Sequence, residues 1–147
     1  MAFRRSIQLL AQPFLNSGAT KVACIEGRGF IFGTAVACEL SLGIIPIRYP
    51  GKLQQSVYSA SFIDYSGTAK SLAVHQDALV QGDRVIIVDD WIETGETIKA
   101  SISLLERCGG TIAGIAALMD DASTEVKQLL GTYNYHFVLQ TSDTDQF

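Results

Sequence analysis

The stretch Arg84-Val-Ile-Ile-Val-Asp-Asp-Trp-Ile-Glu-Thr-Gly-Glu-Thr97 runs from the most apolar β-branched segment of the chain into two adjacent acids and then a short polar loop. Val85 to Val88 lacks polar alternation, the pattern of a strand covered on both faces. A central strand is therefore expected over Arg84 to Val88. Trp91 to Glu96 is expected to lead into a helix from Thr97 to Cys108, closed by Gly109-Gly110. In an open α/β sheet, ligands sit beyond the carboxyl ends of the strands, where loops enter helix N-termini. Backbone N–H groups from Glu93 to Thr97 and the hydroxyls of Thr94 and Thr97 can ring a phosphate there. The helix dipole favours the charge, and Gly95, like the helix-entering Glu96, lies in that loop and permits close backbone approach. Asp89 and Asp90 can accept hydrogen bonds from sugar hydroxyls and help place a Mg2+ on oxygen ligands. A phosphate beside two carboxylates points to a sugar phosphate.

Upstream, Lys21-Val-Ala-Cys-Ile25 reads as a buried strand and Glu26-Gly-Arg-Gly29 as a tight loop. Phe30 to Leu42 reads as a helix ended by Gly43, and Ile44-Ile-Pro-Ile-Arg48 as a second strand. Strand, helix, strand in this rhythm implies a parallel sheet covered on both faces. Between Tyr49 and Gly67 the pattern weakens around the alternating Ser56-Val-Tyr-Ser-Ala-Ser-Phe-Ile63, read as a mobile β-ribbon loop that returns through Ser71-Leu-Ala-Val74. Downstream, Thr111 to Met119 is a buried strand, Ser123 caps a helix to Leu130 ended by Gly131, and Tyr135 to Leu139 is a last strand. The polar tail after Thr141 is expected to fray. The expectation is one domain over residues 1–147: a doubly wound α/β fold with a mainly parallel sheet of about five strands and flanking helices.

Composition agrees. The chain has 147 residues, 48% of them hydrophobic, and a mean hydropathy of +0.23, enough apolar material for one core. A net charge of −4 and a pI near 5.0 argue against a nucleic-acid polymer as partner, because that needs an extended basic face. Phe3, Ile7 and Leu10 recur at helical spacing, so the start reads as an amphipathic helix docked on the domain rather than a targeting peptide. No apolar run is long enough to span a bilayer, and no membrane partner is expected. Cys24, Cys38 and Cys108 show no CxxC spacing and suit buried, reduced thiols in the cytoplasm. His75 and His136 lack a second ligand at metal spacing and read as structural.

The segment from Val85 to Thr97 resembles the phosphoribosyl pyrophosphate signature of the type I phosphoribosyltransferases: an apolar strand, two acids, two bulky residues and a Thr-Gly-x-Thr loop. Ile25-Glu-Gly-Arg-Gly-Phe-Ile-Phe-Gly33, Pro46-Ile-Arg-Tyr-Pro-Gly-Lys-Leu53 and Val74-His-Gln-Asp-Ala-Leu79 look like successive landmarks of the adenine phosphoribosyltransferases, from about Phe3 to Gly131. The resemblance implies transfer of ribosyl 5-phosphate to a nucleobase, adenine first, with pyrophosphate leaving as its Mg2+ complex in purine salvage. It implies that Glu26, Gly27 and Arg28 cradle the pyrophosphate and that Arg48 and Lys52 neutralise it. Asp64 falls where the family's mobile loop carries an acid that helps protonate the purine, although Glu is more usual there. The family also implies a homodimer, paired through the Phe30 to Leu42 helix and the strand after it.

Two features depart from the adenine pattern. Glu93 and Glu96 stand where Ala and Gly are usual. In hypoxanthine-guanine enzymes an acid at the Glu93 position can exchange a proton with the purine, so Glu93 reads either as a second acid/base or as a surface residue, and Glu96 as solvated. The resemblance also begins close to the first core helix, without the Phe-Arg-Asp-type purine-stacking segment, and the usual C-terminal base segment is shortened to Asp120-Asp-Ala-Ser123. A partner chain, Trp91 or the Tyr58 to Tyr65 loop is left to close the base pocket. Arg28 stands open between pyrophosphate contact and an internal or intersubunit ion pair.

Rival folds fit less well. Gly27, Gly29 and Gly33 leave three residues in the second gap of a dinucleotide-binding motif that allows two. A receiver domain carries its Asp-Asp pair near the N-terminus. The remaining alternative is a non-catalytic module of the same fold that binds phosphoribosyl pyrophosphate or a nucleotide and regulates a partner.

Overall fold

The computed structural model describes residues 2–54, 56–64 and 66–141. The tail after Thr141 and Tyr65 of the ribbon lie outside the described residues. Helix α1 (Ala2–Ala11) buries Ile7 and Leu10 of the expected apolar face, with Ala11, whereas Phe3 stays exposed at the helix start and only tilts against Phe32; a single 3-10 turn (Gln12–Phe14) delivers Phe14 into the core. Pro13 fits this turn because its missing N–H falls where a helix start leaves donors unpaired. The chain continues through β1 (Lys21–Ile25), α2 (Gly29–Leu40), β2 (Gly43–Ile47), β3 (Val57–Ile63), β4 (Ala69–His75), β5 (Arg84–Ile92), α3 (Glu96–Arg107), β6 (Thr111–Asp120), α4 (Thr124–Gly131) and β7 (Tyr135–Gln140).

The main sheet has five strands in the order β2-β1-β5-β6-β7, every neighbouring pair parallel. From β1 the chain first winds outward to β2, then crosses back to β5 and winds the other way. The carboxyl ends of β1 and β5 therefore flank the switch point, where such sheets open a crevice. Alternation on β5 shows the two-faced core: Val85 and Ile87 join a cluster with Ile98, Leu104 and Leu105 of α3, whereas Ile86 and Val88 join Leu10, Phe14, Val36 and Ala37 beneath α1 and α2. The Phe14 ring lies where a side chain at Gly114 of β6 would stand, so that glycine is required by packing.

β3 and β4 form a separate antiparallel ribbon registered from Val57 opposite His75 to Ile63 opposite Ala69. Leu72 and Val74 seat it on the α3 side of the core, and a bridge between Arg48 and Ala73 ties it to the end of β2. Most boundaries agree with expectation to within a residue or two, with two instructive differences. α2 stops at Leu40, because Ser41 takes a left-handed conformation (φ 56°) and the Ser41 and Leu42 N–H groups close on Cys38 and Ala37 carbonyls; Gly43 instead opens β2. β5 runs four residues past Val88, since Asp89, Trp91 and Ile92 pair with Ala117, Met119 and Asp120 of β6. Both acids are thus part of the strand, and the connecting loop shrinks to Glu93, Thr94 and Gly95. The cysteines are all free; Cys24 is buried, with its thiol pushed up to about 12 by burial, but Cys38 is exposed and Cys108 half-buried.

Candidate active site

A cavity of about 500 Å3 opens at the carboxyl ends of β1 and β5. Its walls come from Glu26 and Arg28 after β1, Tyr49 after β2, Phe62, Asp64 and Lys70 of the ribbon, and the run from Asp89 to Gly95 entering α3 at Thr97.

Asp89 is buried at the end of β5 and accepts the Asp90 N–H on Oδ1 at 2.8 Å. Burial raises its carboxyl well above the usual range, and the adjacent Asp90 charge adds to this, outweighing that hydrogen bond and the Arg28 charge. A Cβ on Gly29 would come within 2.9 Å of Asp89 Oδ1, so glycine there lets α2 begin against the acid. Asp90 meets the Arg28 guanidinium, Nε to Oδ2, at 2.7 Å. The structure thus gives Arg28 an internal ion pair at the cavity wall.

Gly95 caps α3 in the left-handed region (φ 72°), and a Cβ there would lie 2.7 Å from Val126 Cγ1 of α4. α4 is itself held by Ser123, whose hydroxyl accepts the Val126 N–H at 3.4 Å. The loop that opens α3 is therefore braced from behind by α4, with Glu93, Thr94 and Gly95 lining the cavity. Thr94 Oγ1 accepts the Glu96 N–H at 3.4 Å, and the Glu96 carboxylate turns to Lys99 at 2.6 Å. Glu93 is exposed and lines the cavity.

On the pyrophosphate side, Gly27 adopts φ 108°, a conformation that favours glycine. Glu26 gathers the basic residues: Lys52 Nζ lies 2.5 Å and Arg48 Nη2 3.4 Å from Oε1, and the Tyr49 N–H donates to Oε2 at 2.6 Å. Partial burial alone would raise the Glu26 carboxyl, but these donors hold it below its usual range. Arg48 and Lys52 consequently stand behind Glu26 rather than on the cavity wall.

Asp64 reaches the wall at the end of β3. Lys70 holds its Oδ2 at 2.7 Å, while Oδ1 accepts the Ser66 hydroxyl at 2.6 Å, the Ser66 N–H at 2.9 Å and the Thr68 N–H at 3.0 Å. Lys70 first, then these donors, hold the carboxyl far below the usual range. Tyr49, Phe62 and Lys70 are wall residues that sequence reading did not single out. Alternation along β3 marks Phe62, whereas Lys70 becomes visible only from the ribbon register that sets it opposite Phe62. Trp91, 46% exposed, also lines the cavity, its indole N–H donated to Asp121 Oδ2 at 2.9 Å.

Comparison with known proteins agrees with this architecture. The family model described as a phosphoribosyl transferase domain matches residues 2–143. The adenine phosphoribosyltransferase of Solidesulfovibrio magneticus is 41% identical over 138 residues, covering 94% of this chain and 80% of that protein. The Sodalis glossinidius adenine phosphoribosyltransferase is 42% identical over 141 residues, 94% of this chain and 76% of its own length. Among solved structures, the Rhodothermus marinus adenine phosphoribosyltransferase superposes with a TM-score of 0.84 at 40% identity, covering 94% of this chain and 78% of that one. The Giardia lamblia APRTase complexed with 9-deazaadenine superposes with a TM-score of 0.86 at 27% identity, covering 95% and 79%. With its five-stranded parallel sheet, its acid pair at the switch point and these relatives, the chain belongs to the phosphoribosyltransferase family.

Proposed function

We propose that the protein transfers the 5-phosphoribosyl group of phosphoribosyl pyrophosphate to adenine, releasing pyrophosphate in purine salvage. The observation that carries this reading is the acid pair Asp89-Asp90 standing directly before a braced, left-handed Gly95 at the N-terminus of α3. The N–H groups from Glu93 to Thr97 and the Thr94 and Thr97 hydroxyls hold the 5′-phosphate, favoured by the helix dipole. Asp89 and Asp90 accept the ribose hydroxyls, orienting C1′ toward the base. Arg28 turns between Asp90 and the pyrophosphate, while Glu26 keeps Arg48 and Lys52 beside the leaving group's side of the crevice. Trp91 presents an anchored aromatic face against which adenine can stack.

As C1′–N9 forms and C1′–O breaks, adenine gives up one proton overall, and a carboxylate at the cavity mouth must handle it. Asp64 and Glu93 are the two candidates. In the arrangement described, Asp64 is held ionised, the form that accepts a proton, and its Oδ2 becomes free to do so only when Lys70 lets go.

Among the described residues no group of three or more His, Cys, Asp or Glu side chains stands together as a metal cage. Two hard carboxylates beside a polyphosphate site nevertheless fit Mg2+, which binds through one or two carboxylates plus substrate oxygens. Asp89 and Asp90 would hold it, and when bound it supplies charge neutralisation at the pyrophosphate. No helix among the described residues is long and apolar enough to cross a membrane. A cytoplasmic location, to which three free cysteines are suited, and a homodimer belong to the same reading. Ile31 of α2 and Ile44 of β2 are exposed apolar residues on the elements expected to pair.

The test is incubation with phosphoribosyl pyrophosphate and Mg2+, offering adenine, hypoxanthine, guanine, xanthine, uracil and orotate separately and following pyrophosphate and nucleotide formation. AMP formation abolished by Asp89→Asn/Asp90→Asn is the expected result. Silence with every base, alongside calorimetric binding of phosphoribosyl pyrophosphate, replaces the reading with a non-catalytic binding module.

A further inference from the structure

The cavity wall carries five carboxylates against two cations, Arg28 and Lys70, and each cation is already paired with an acid of the same wall. A polyanion entering such a site meets a net negative surface, and it gains a cation of the wall only if one of those pairs opens to it. Lys70 is the better placed to decide the chemistry. The Asp64 Oδ1 atom is saturated by the Ser66 hydroxyl and the Ser66 and Thr68 N–H groups, so Oδ2 is the oxygen left to act, and Lys70 covers it at 2.7 Å. Both side chains project from the two strands of one ribbon, Lys70 opposite Phe62 and Asp64 just past Ile63 opposite Ala69, so the pair spans the ribbon at the cavity rim.

We propose, resting on the function above, that Lys70 is a substrate-exchanged clamp. It closes Asp64 Oδ2 in the free protein and transfers to a phosphate of phosphoribosyl pyrophosphate on binding, which opens Asp64 to the base. The exchange couples the two substrates: the polyanion that must bind also uncovers the acid that handles the proton. Lys70 is on this account both a substrate contact and a positioning residue for Asp64. The cost of binding includes breaking one ion pair, and this gives an unusual signature.

Calorimetric titration of phosphoribosyl pyrophosphate into the whole protein distinguishes the possibilities. Lys70→Met is expected to weaken binding about tenfold, the loss of one charge-assisted hydrogen bond, with Lys70→Arg restoring most of it. Asp64→Asn is expected to tighten binding about two- to fivefold, because Lys70 no longer has to leave a carboxylate, while turnover with adenine falls. In the Lys70→Met background that tightening is expected to vanish. Unchanged affinity in Lys70→Met, or Asp64→Asn binding no tighter than wild type, overturns the clamp while leaving the transferase reading intact. Wild-type protein that binds no phosphoribosyl pyrophosphate overturns both.

Discussion

Strand β5 is bounded by two aspartates of almost equal burial, Asp83 just before its first residue at 7% exposure and Asp89 near its end at 8%, yet their carboxyls are displaced in opposite directions. Asp83 accepts the Val80 N–H at 2.9 Å and the Thr20 hydroxyl at 2.7 Å, and meets Lys21 at 3.1 Å, which together lower it to about 2. Asp89 shares its surroundings with a second carboxylate and is raised by burial. At the amino end of the sheet, both Asp83 oxygens have donors and the acid ties β1 to β5. At the carboxyl end, two carboxylates stand side by side, and the one cation of the cavity wall beside them, Arg28, pairs with Asp90 rather than with the buried Asp89. Burial alone therefore does not set a carboxyl's state; the donors that the fold brings to it do.

Replacing the crowded acid is the most direct way to test that contrast. Asp89→Asn is expected to reduce AMP formation on the order of 100- to 1,000-fold. It is also expected to raise Tm by a few degrees at neutral pH. A folded-state pKa above the unfolded value means that stability present at low pH is lost as pH rises through the raised value, and the asparagine removes that loss. A Tm that falls by calorimetry would show the pair to be well satisfied without ligand.

Gly95→Ala acts on the same end through the backbone. A left-handed φ costs an alanine about 1–2 kcal/mol, and its Cβ meets Val126, so both stability and affinity for phosphoribosyl pyrophosphate are expected to drop in denaturant melts and titrations. Asp83→Asn should do the reverse of Asp89→Asn: a loss of about 1–2 kcal/mol at pH 7 with turnover unchanged. Because the folded pKa is depressed, the stabilisation is present above pH 4 and disappears as pH falls toward 2, so the two proteins are expected to converge there in acid melts. The smallest effect belongs to Trp91, the chain's single tryptophan. Adenine or AMP is expected to quench its fluorescence, and Trp91→Leu to raise the KM for adenine about fivefold with kcat nearly kept.

Much of the frame was legible in the chain itself. The unbroken β-branched run from Val85 to Val88, the alternation from Ser56 to Ile63 and the Ser123 cap are local signals, and each corresponds to β5, β3 or the start of α4. What local pattern misplaced were endings. The acids Asp89 and Asp90 look like a strand terminator, but pairing with β6 carries β5 through them to Ile92. Gly43 looks like the α2 stop, yet Ser41 takes the left-handed turn because its N–H and that of Leu42 reach carbonyls one turn back.

The residues of the site divide the same way. Asp89, Asp90, Thr94, Gly95 and Thr97 lie within nine positions of one another, so strand and helix geometry alone bring them to one crevice. The long side chains were beyond sequence: Arg48 and Lys52 go to Glu26, Arg28 to Asp90, and Lys70 to Asp64. A flexible cation has several acids within reach, and exposed pairings differ by about 1 kcal/mol or less, so the choice among them depends on which strands the fold sets side by side. The amino-acid sequence thus determined that Asp89, Asp90, Thr94, Gly95 and Thr97 gather at one crevice, because they are neighbours along the chain. Only the tertiary structure decided which cations guard the acids around them.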